Sequence, residues 1–106
     1  MRLTNRQQAT LAGAVRRHFG VQARLWLFGS RVDDAARGGD FDLMIQADDA
    51  DAAALYDAKL ALLCELHATP EFEGERIDVV LLSARLHREL RPVQREALAH
   101  GLELLV

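Results

Sequence analysis

Apolar residues near the N-terminus follow the spacing of an α-helix. Four of them fall on one helical face: Leu11, Ala14, Val15 and Phe19. Thr4 and Gln7 have the spacing of a capping box, in which each side chain binds the backbone N–H of the other residue. The pattern therefore predicts a first helix that begins near Thr4 and ends at Gly20.

Three short apolar segments have the length and composition of β-strands: residues 23–28, 41–45 and 76–82. The first ends at Gly29, and the second follows a pair of glycines. The connection between these two strands is polar and only about a dozen residues long, which is short for a parallel crossover. We therefore expect the first two strands to be antiparallel neighbours.

Two further segments predict helices. An alanine- and leucine-rich run from about Ala50 to His67 follows acidic residues, which favour a helix N-terminus. Ser83 is predicted to cap a last helical region that is interrupted near Pro92 and ends at Gly101. The order of helices and strands predicts a mixed α/β fold, with three to four strands covered on one face by helices.

The composition describes one small domain over residues 1–106, with 50% hydrophobic residues and a formal net charge of −3. Such a chain has one modest core, and its charge argues against nucleic-acid binding, which needs clustered positive charge. The single cysteine, Cys64, indicates a reducing compartment, and we expect it to be a small buried apolar residue. The start of the chain has no apolar signal segment, and no run approaches about 18 apolar residues. We expect a cytoplasmic protein without membrane contact.

Three aspartates are candidate metal ligands. Asp40 and Asp42 are two positions apart, so on a strand they share one face. Neighbouring ionised carboxylates repel each other unless a cation lies between them, and Mg²⁺ prefers such oxygen ligands. Asp78, in the third strand, would complete a set for two metal ions if the strands were adjacent. The alternatives are a solvated acidic strand start for the pair, and an ion pair of Asp78 with Arg76 or Arg24.

Gly29 and Ser30 form a candidate phosphate-binding turn. Glycine allows the backbone to approach a ligand closely, and free N–H groups in a turn bind anions. Arg31 and Arg37 would add positive charge there. The alternatives are an ordinary turn, and arginines that are surface charges or partners of nearby aspartates.

The Gly29-Ser30 turn, the spaced Asp40 and Asp42, and the later Asp78 together resemble the minimal nucleotidyltransferases of the DNA polymerase beta superfamily, of the MntA-like antitoxin type. The segment between Ser30 and Asp40 is one residue shorter than in many members, and Gly39 replaces a common serine. The resemblance implies a polymerase beta palm-like fold. It also implies that Asp40 and Asp42 bind two Mg²⁺ ions, that Asp78 binds the catalytic metal and helps to activate the acceptor, and that Gly29 and Ser30 hold the triphosphate of ATP.

The same resemblance implies transfer of AMP to a hydroxyl, namely a tyrosine of a HEPN-domain toxin encoded nearby, in a type VII-like toxin–antitoxin pair. Two alternatives stay open: a non-catalytic module that neutralises a toxin by binding, and transfer to a small molecule such as an aminoglycoside. Apolar residues in the last region exceed what a small core absorbs, so we also expect part of this region to form a subunit contact, including a homo-oligomer. The residues concerned are Leu86, Leu90, Val93, Leu98, Leu102, Leu104 and Leu105.

Overall fold

A computed structural model of the chain describes residues 3–32, 39–47, 51–83 and 90–106, without the side chain of Ser30. Within these ranges it contains three helices, α1 (Asn5–Phe19), α2 (Ala52–His67) and α3 (Pro92–His100). It also contains four strands, β1 (Arg24–Phe28), β2 (Phe41–Ala47), β3 (Ile77–Ser83) and β4 (Leu102–Leu104). The mixed α/β architecture expected from the sequence is confirmed.

The four strands form one mixed sheet in the order β3-β2-β1-β4. Strand β1 is antiparallel to β2 on one side and to β4 on the other, which confirms the antiparallel pairing predicted for the first two strands. Strands β2 and β3 are parallel, with α2 in the connection between them. The starts of β2 and β3 therefore lie side by side, next to the end of β1.

Local signals set the helix starts. Thr4 Oγ1 accepts a hydrogen bond from the backbone N–H of Gln7, and Gln7 Oε1 accepts one from the backbone N–H of Thr4, both at 3.0 Å. This is the capping box predicted from the sequence, and Gly20 follows the last residue of α1 as expected. The α2 helix begins after Asp51, whose carboxylate accepts a hydrogen bond from the backbone N–H of Ala53 at 3.0 Å.

The sheet is covered on both faces, which corrects the expectation that helices cover only one. Helices α1 and α2 pack on the face that carries Leu25, Leu27, Leu43 and Ile45. Helix α3 packs on the opposite face through Ala97, in a second cluster with Trp26, Phe28, Met44 and Leu82. The reason is visible in β1: its residues 25–28 are all buried, so both faces of this strand need a covering layer.

The C-terminal region also differs from the prediction. Strand β4, which the sequence did not indicate, follows Gly101 and buries Leu104 against the sheet. Ser83 ends β3, and α3 begins only at Pro92; residues 84–89, including Leu86, lie outside the described part. The side chain of Gln94 fixes α3 to the sheet by donating a hydrogen bond to the carbonyl of Leu81 at 3.1 Å.

Cys64 is exposed, contrary to the expectation of a small buried residue. The buried face of α2 consists of Leu55, Leu62 and Leu66. Cys64 lies two positions from both Leu62 and Leu66, about 200° around the helix from each, and so points away from the core. Among the described helices, none has the length and apolar character needed to cross a membrane.

Candidate functional site

The starts of β2 and β3 bring two of the three candidate aspartates together. Asp42 and Asp78 are direct partners in the parallel register of these strands, and neighbouring strands lie about 4.8 Å apart. Phe28, the last residue of β1, is opposite Asp42 on its other side. Because side chains of partnered residues point to the same face, Asp42 and Asp78 lie on the face that α3 covers, at the end where β2 and β3 begin. The adjacency that the sequence analysis required is present.

Gly29 lies directly against the Asp42 carboxylate. It has a φ of +75°, a left-handed conformation that side-chain-bearing residues rarely adopt. A Cβ at this position would overlap Asp42 Oδ2 and would stand 3.2 Å from Asp42 Cγ. The turn after β1 therefore approaches the carboxylate closely, and a side chain at this position would force the Asp42 carboxylate to shift. Sequence reasoning placed Gly29 near a phosphate but missed this contact, which joins residues 13 positions apart.

Asp42 is in an unfavourable electrostatic environment. Partial burial is the largest cause that raises the pKa of its carboxyl above the ordinary value, and repulsion from Asp78 and from Asp40 raises it further. Asp78 and Asp40 are thus close enough to Asp42 to influence its carboxyl. A bound cation would offset the repulsion among the ionised carboxylates.

Asp40 precedes β2 and has a weak ion pair. Its Oδ1 lies 3.8 Å from Nε of Arg76, whose side chain is 84% exposed. Arg24 instead binds Glu103 through two hydrogen bonds of 2.9 and 2.7 Å. Within the described ranges, neither arginine that the sequence offered as a partner for Asp78 therefore pairs with it. The side chain of Asp78 is exposed, so it is accessible to a ligand.

Arg31 contacts the segments that lead into β2 and β3. Its guanidinium lies over the ring of Phe41, 4.0 Å from the centroid, and its Nε donates to the carbonyl of Gly39 at 3.3 Å. Its Nη2 lies 3.5 Å from Glu75 Oε2. The predicted role of Arg31 in nucleotide binding stays a prediction. Ser30 lies in the 3₁₀ turn Gly29–Val32, but its side chain, like Arg37, is outside the described part.

The three aspartates have the oxygen donors that a divalent cation prefers, but their carboxylates are not gathered around one point. In the described part of the chain, no group of three or more Asp, Glu, His or Cys side chains is placed so that it could hold a metal ion. Carboxylate oxygens are nevertheless the donors that Mg²⁺ prefers, and this ion usually takes one or two carboxylates together with water and substrate phosphate. Asp42 and Asp78 in register, with Asp40 beside them, suit that mode of binding.

A cavity of about 510 Å³ lies at the other end of β1 and β2. Its lining includes Gly20 and Ala23 before β1, Ala47 at the end of β2, and Leu55 of α2. This lining contains none of the candidate site residues, so the cavity is separate from the carboxylate cluster.

A scan against models of protein families and a search of curated proteins both find no match for this chain.

Proposed function

We propose that the chain is a Mg²⁺-dependent nucleotidyltransferase that transfers AMP from ATP to a hydroxyl. The observation that carries the proposal is the juxtaposition of Asp42 with Asp78 at the strand starts, against the backbone of Gly29. Like charges in register are unfavourable in the free protein, and the pKa of Asp42 is raised by partial burial and, to a smaller extent, by repulsion from Asp78 and Asp40. A site that binds cations and phosphate accounts for both the acidic cluster and the close glycine turn.

The proposed roles follow from the positions of the residues. Asp40, Asp42 and Asp78 would hold the metal, and the backbone of Gly29 and Ser30 would hold the triphosphate. When bound, Mg²⁺ supplies positive charge that offsets the charge on the phosphate oxygens. The acceptor oxygen forms a bond to the α-phosphorus, the bond from that phosphorus to the bridging oxygen breaks, and pyrophosphate leaves. Exposed Asp78 would orient the acceptor hydroxyl and receive its proton.

The proposed acceptor is a tyrosine of a HEPN-domain protein encoded nearby, with this chain acting as the cytoplasmic antitoxin. The accessible position of Asp78 leaves room for a macromolecular acceptor. Exposed apolar side chains of the C-terminal region support a subunit contact there, with that partner or with a second copy. Those residues are Val93, Leu98, Leu102 and Leu105.

The decisive experiment combines the purified chain, ATP labelled at the α-phosphate, Mg²⁺ and the product of the adjacent gene. We expect label on the partner with the wild type and a loss of at least about 100-fold in rate for Asp42→Asn and Asp78→Asn, because each removes a charged oxygen ligand. Asp57→Asn is the matched control, since it neutralises an exposed carboxylate on α2 away from the site. Transfer that survives Asp42→Asn, or no transfer to a partner that binds, would contradict the proposal.

The second candidate is a binding module that neutralises its partner without catalysis. It is favoured by the open arrangement of the carboxylates in the described part and by the ion pair of Asp40 with Arg76. Calorimetry separates the two functions. A pure binding module keeps the same partner affinity with and without Mg·ATP, and it still inhibits the partner after all three aspartates are replaced by asparagine.

A further inference from the structure

We propose that Arg31 is a positioning residue that holds the starts of β2 and β3 together and thereby keeps Asp42 beside Asp78. This inference rests on the proposed function for its consequence, namely metal binding at these aspartates. The contacts themselves do not depend on that function. They assign to Arg31 a task that differs from the nucleotide contact suggested by its place in the sequence.

Arg31, three positions after the end of β1, contacts three residues within the described part of the chain. Its Nε donates to the carbonyl of Gly39, directly before Asp40, and its guanidinium covers the ring of Phe41 at the first position of β2. Its Nη2 approaches Glu75, two residues before β3 begins. One side chain thus connects the end of β1 to the segments that lead into both aspartate-bearing strands.

The environment of Arg31 makes these contacts stronger than those of a surface arginine. Its side chain is only 15% exposed, and partial desolvation strengthens both cation–π attraction and charge-assisted hydrogen bonds. The planar guanidinium can stack on a ring and donate from its edge at the same time, whereas lysine has a compact ammonium that cannot do both. Replacement by lysine therefore keeps the charge and removes the connection.

The two strand starts have one further link at the same place. The backbone N–H of Phe41 donates to the carbonyl of Arg76 at 2.9 Å, immediately before the pair formed by Asp42 and Asp78. Arg31 contacts the ring of Phe41 on one side of this link and Glu75 on the other. If Arg31 releases these contacts, the Phe41 hydrogen bond is the first in the parallel ladder to open.

Amide hydrogen exchange tests the positioning role without any metal. We expect Arg31→Lys and Glu75→Gln to speed exchange at the Phe41 N–H by about tenfold, as loss of a partly desolvated cation–π contact or ion pair would do. Arg24→Lys is the matched control, because Arg24, at the start of β1, also lies over an aromatic ring, that of Trp26 at 4.9 Å, and binds Glu103 of β4. Unchanged exchange at Phe41 in Arg31→Lys, or an equal effect of Arg24→Lys, would overturn the inference.

Manganese binding, followed by electron paramagnetic resonance without nucleotide, tests the consequence. We expect Arg31→Lys and Glu75→Gln to weaken Mn²⁺ affinity by about tenfold, the lower end of what loss of a supporting contact costs a metal site. Arg24→Lys should bind Mn²⁺ as the wild type does. Unchanged Mn²⁺ affinity together with weaker ATP binding would identify Arg31 as a phosphate ligand and overturn the positioning role. If the wild type binds no Mn²⁺ while exchange at Phe41 responds as expected, the positioning role stands and the proposed function fails.

Discussion

Arg24 and Asp42 belong to adjacent strands of one sheet, yet Arg24 has a neighbour of opposite charge and Asp42 has neighbours of like charge. Arg24, at the start of β1, binds Glu103 of β4 through two hydrogen bonds. Asp42, next to the end of β1, has Asp78 as its direct neighbour on β3 and Asp40 close by. The fold pairs opposite charges in one place and gathers like charges in the other.

The titration of the two regions differs accordingly. The hydrogen bonds from Arg24 lower the pKa of Glu103, whereas burial and the neighbouring aspartates raise the pKa of Asp42. A second opposite-charge cluster on the helices, in which Glu65 binds Arg17 and His18, also lowers the pKa of its glutamate. Among these three charged regions of the described chain, the cluster around Asp42 is the one in which a cationic ligand would offset repulsion.

The largest expected effect tests how tightly the turn after β1 is packed on the acidic region. We expect Gly29→Ala to destabilise the protein by about 3 kcal/mol, from the left-handed backbone and from overlap of the new Cβ with Asp42. Gly74→Ala is the matched control, because Gly74 has a φ of +76° and open space around the position of a Cβ. Its cost should be only the backbone strain, about 1 to 2 kcal/mol. Urea denaturation of the two variants measures the difference.

The double variant Gly29→Ala with Asp42→Ala isolates the overlap itself. Removing the carboxylate leaves room for the Cβ, so the two substitutions should not be additive: Gly29→Ala should cost no more in this background than Gly74→Ala does in the wild type. Additive costs would show that the close approach of Gly29 to Asp42 does not limit this position.

The second-largest expected effect tests whether the ionised Asp42 carboxylate lowers the stability of the protein. The raised pKa of Asp42 means that the folded state binds its proton more tightly, so this group lowers stability as the pH rises from about 3.8 through the raised pKa, and the penalty stays constant above it. At neutral pH, without divalent cations, Asp42→Asn should be more stable than the wild type. The gain should stay below about 1 kcal/mol because solvent screens this partly exposed carboxylate.

Urea denaturation in a chelator, repeated from neutral pH to about pH 4, checks this sign. The gain from Asp42→Asn should shrink as the pH falls, because the wild-type carboxyl becomes protonated and loses its repulsion. A variant that is less stable than the wild type at neutral pH would mean that Asp42 has a favourable partner, and the contrast with Glu103 would disappear.

Much of the secondary structure around the site could be predicted from the sequence, because the patterns that indicate it are local. A short apolar run defines β2, and the alternation of side chains along a strand places Asp42 on the face opposite to Phe41 and Leu43. The short connection after Gly29 indicates antiparallel strands, and the apolar run after Asp78 indicates a strand that needs cover. The sequence left open whether β2 and β3 are neighbours, and the structure shows that they are.

What the sequence did not reveal depends on contacts between distant residues. Strand β4 is three residues long and exists because Leu104 and Glu103 pair with β1, about 80 positions earlier in the chain. The stack of Arg31 on Phe41 and the contact of Gly29 with Asp42 likewise follow from how the turn after β1 folds over the strand starts. No periodicity in the chain encodes such contacts.

The smallest expected effect concerns the paired region and has the opposite sign. The lowered pKa of Glu103 means that its ion pair adds stability above about pH 4.5 and loses it as the pH falls through the lowered pKa. Glu103→Gln should therefore be slightly less stable than the wild type at neutral pH, and the two should converge in acid. The difference in stability should be smaller than that of Asp42→Asn, because both partners are largely exposed. It should vanish in about 1 M salt, where the Debye screening length is only about 3 Å. Parallel pH profiles for Glu103→Gln and Asp42→Asn, with changes of the same sign, would show that the two regions do not differ in the way their charges are compensated.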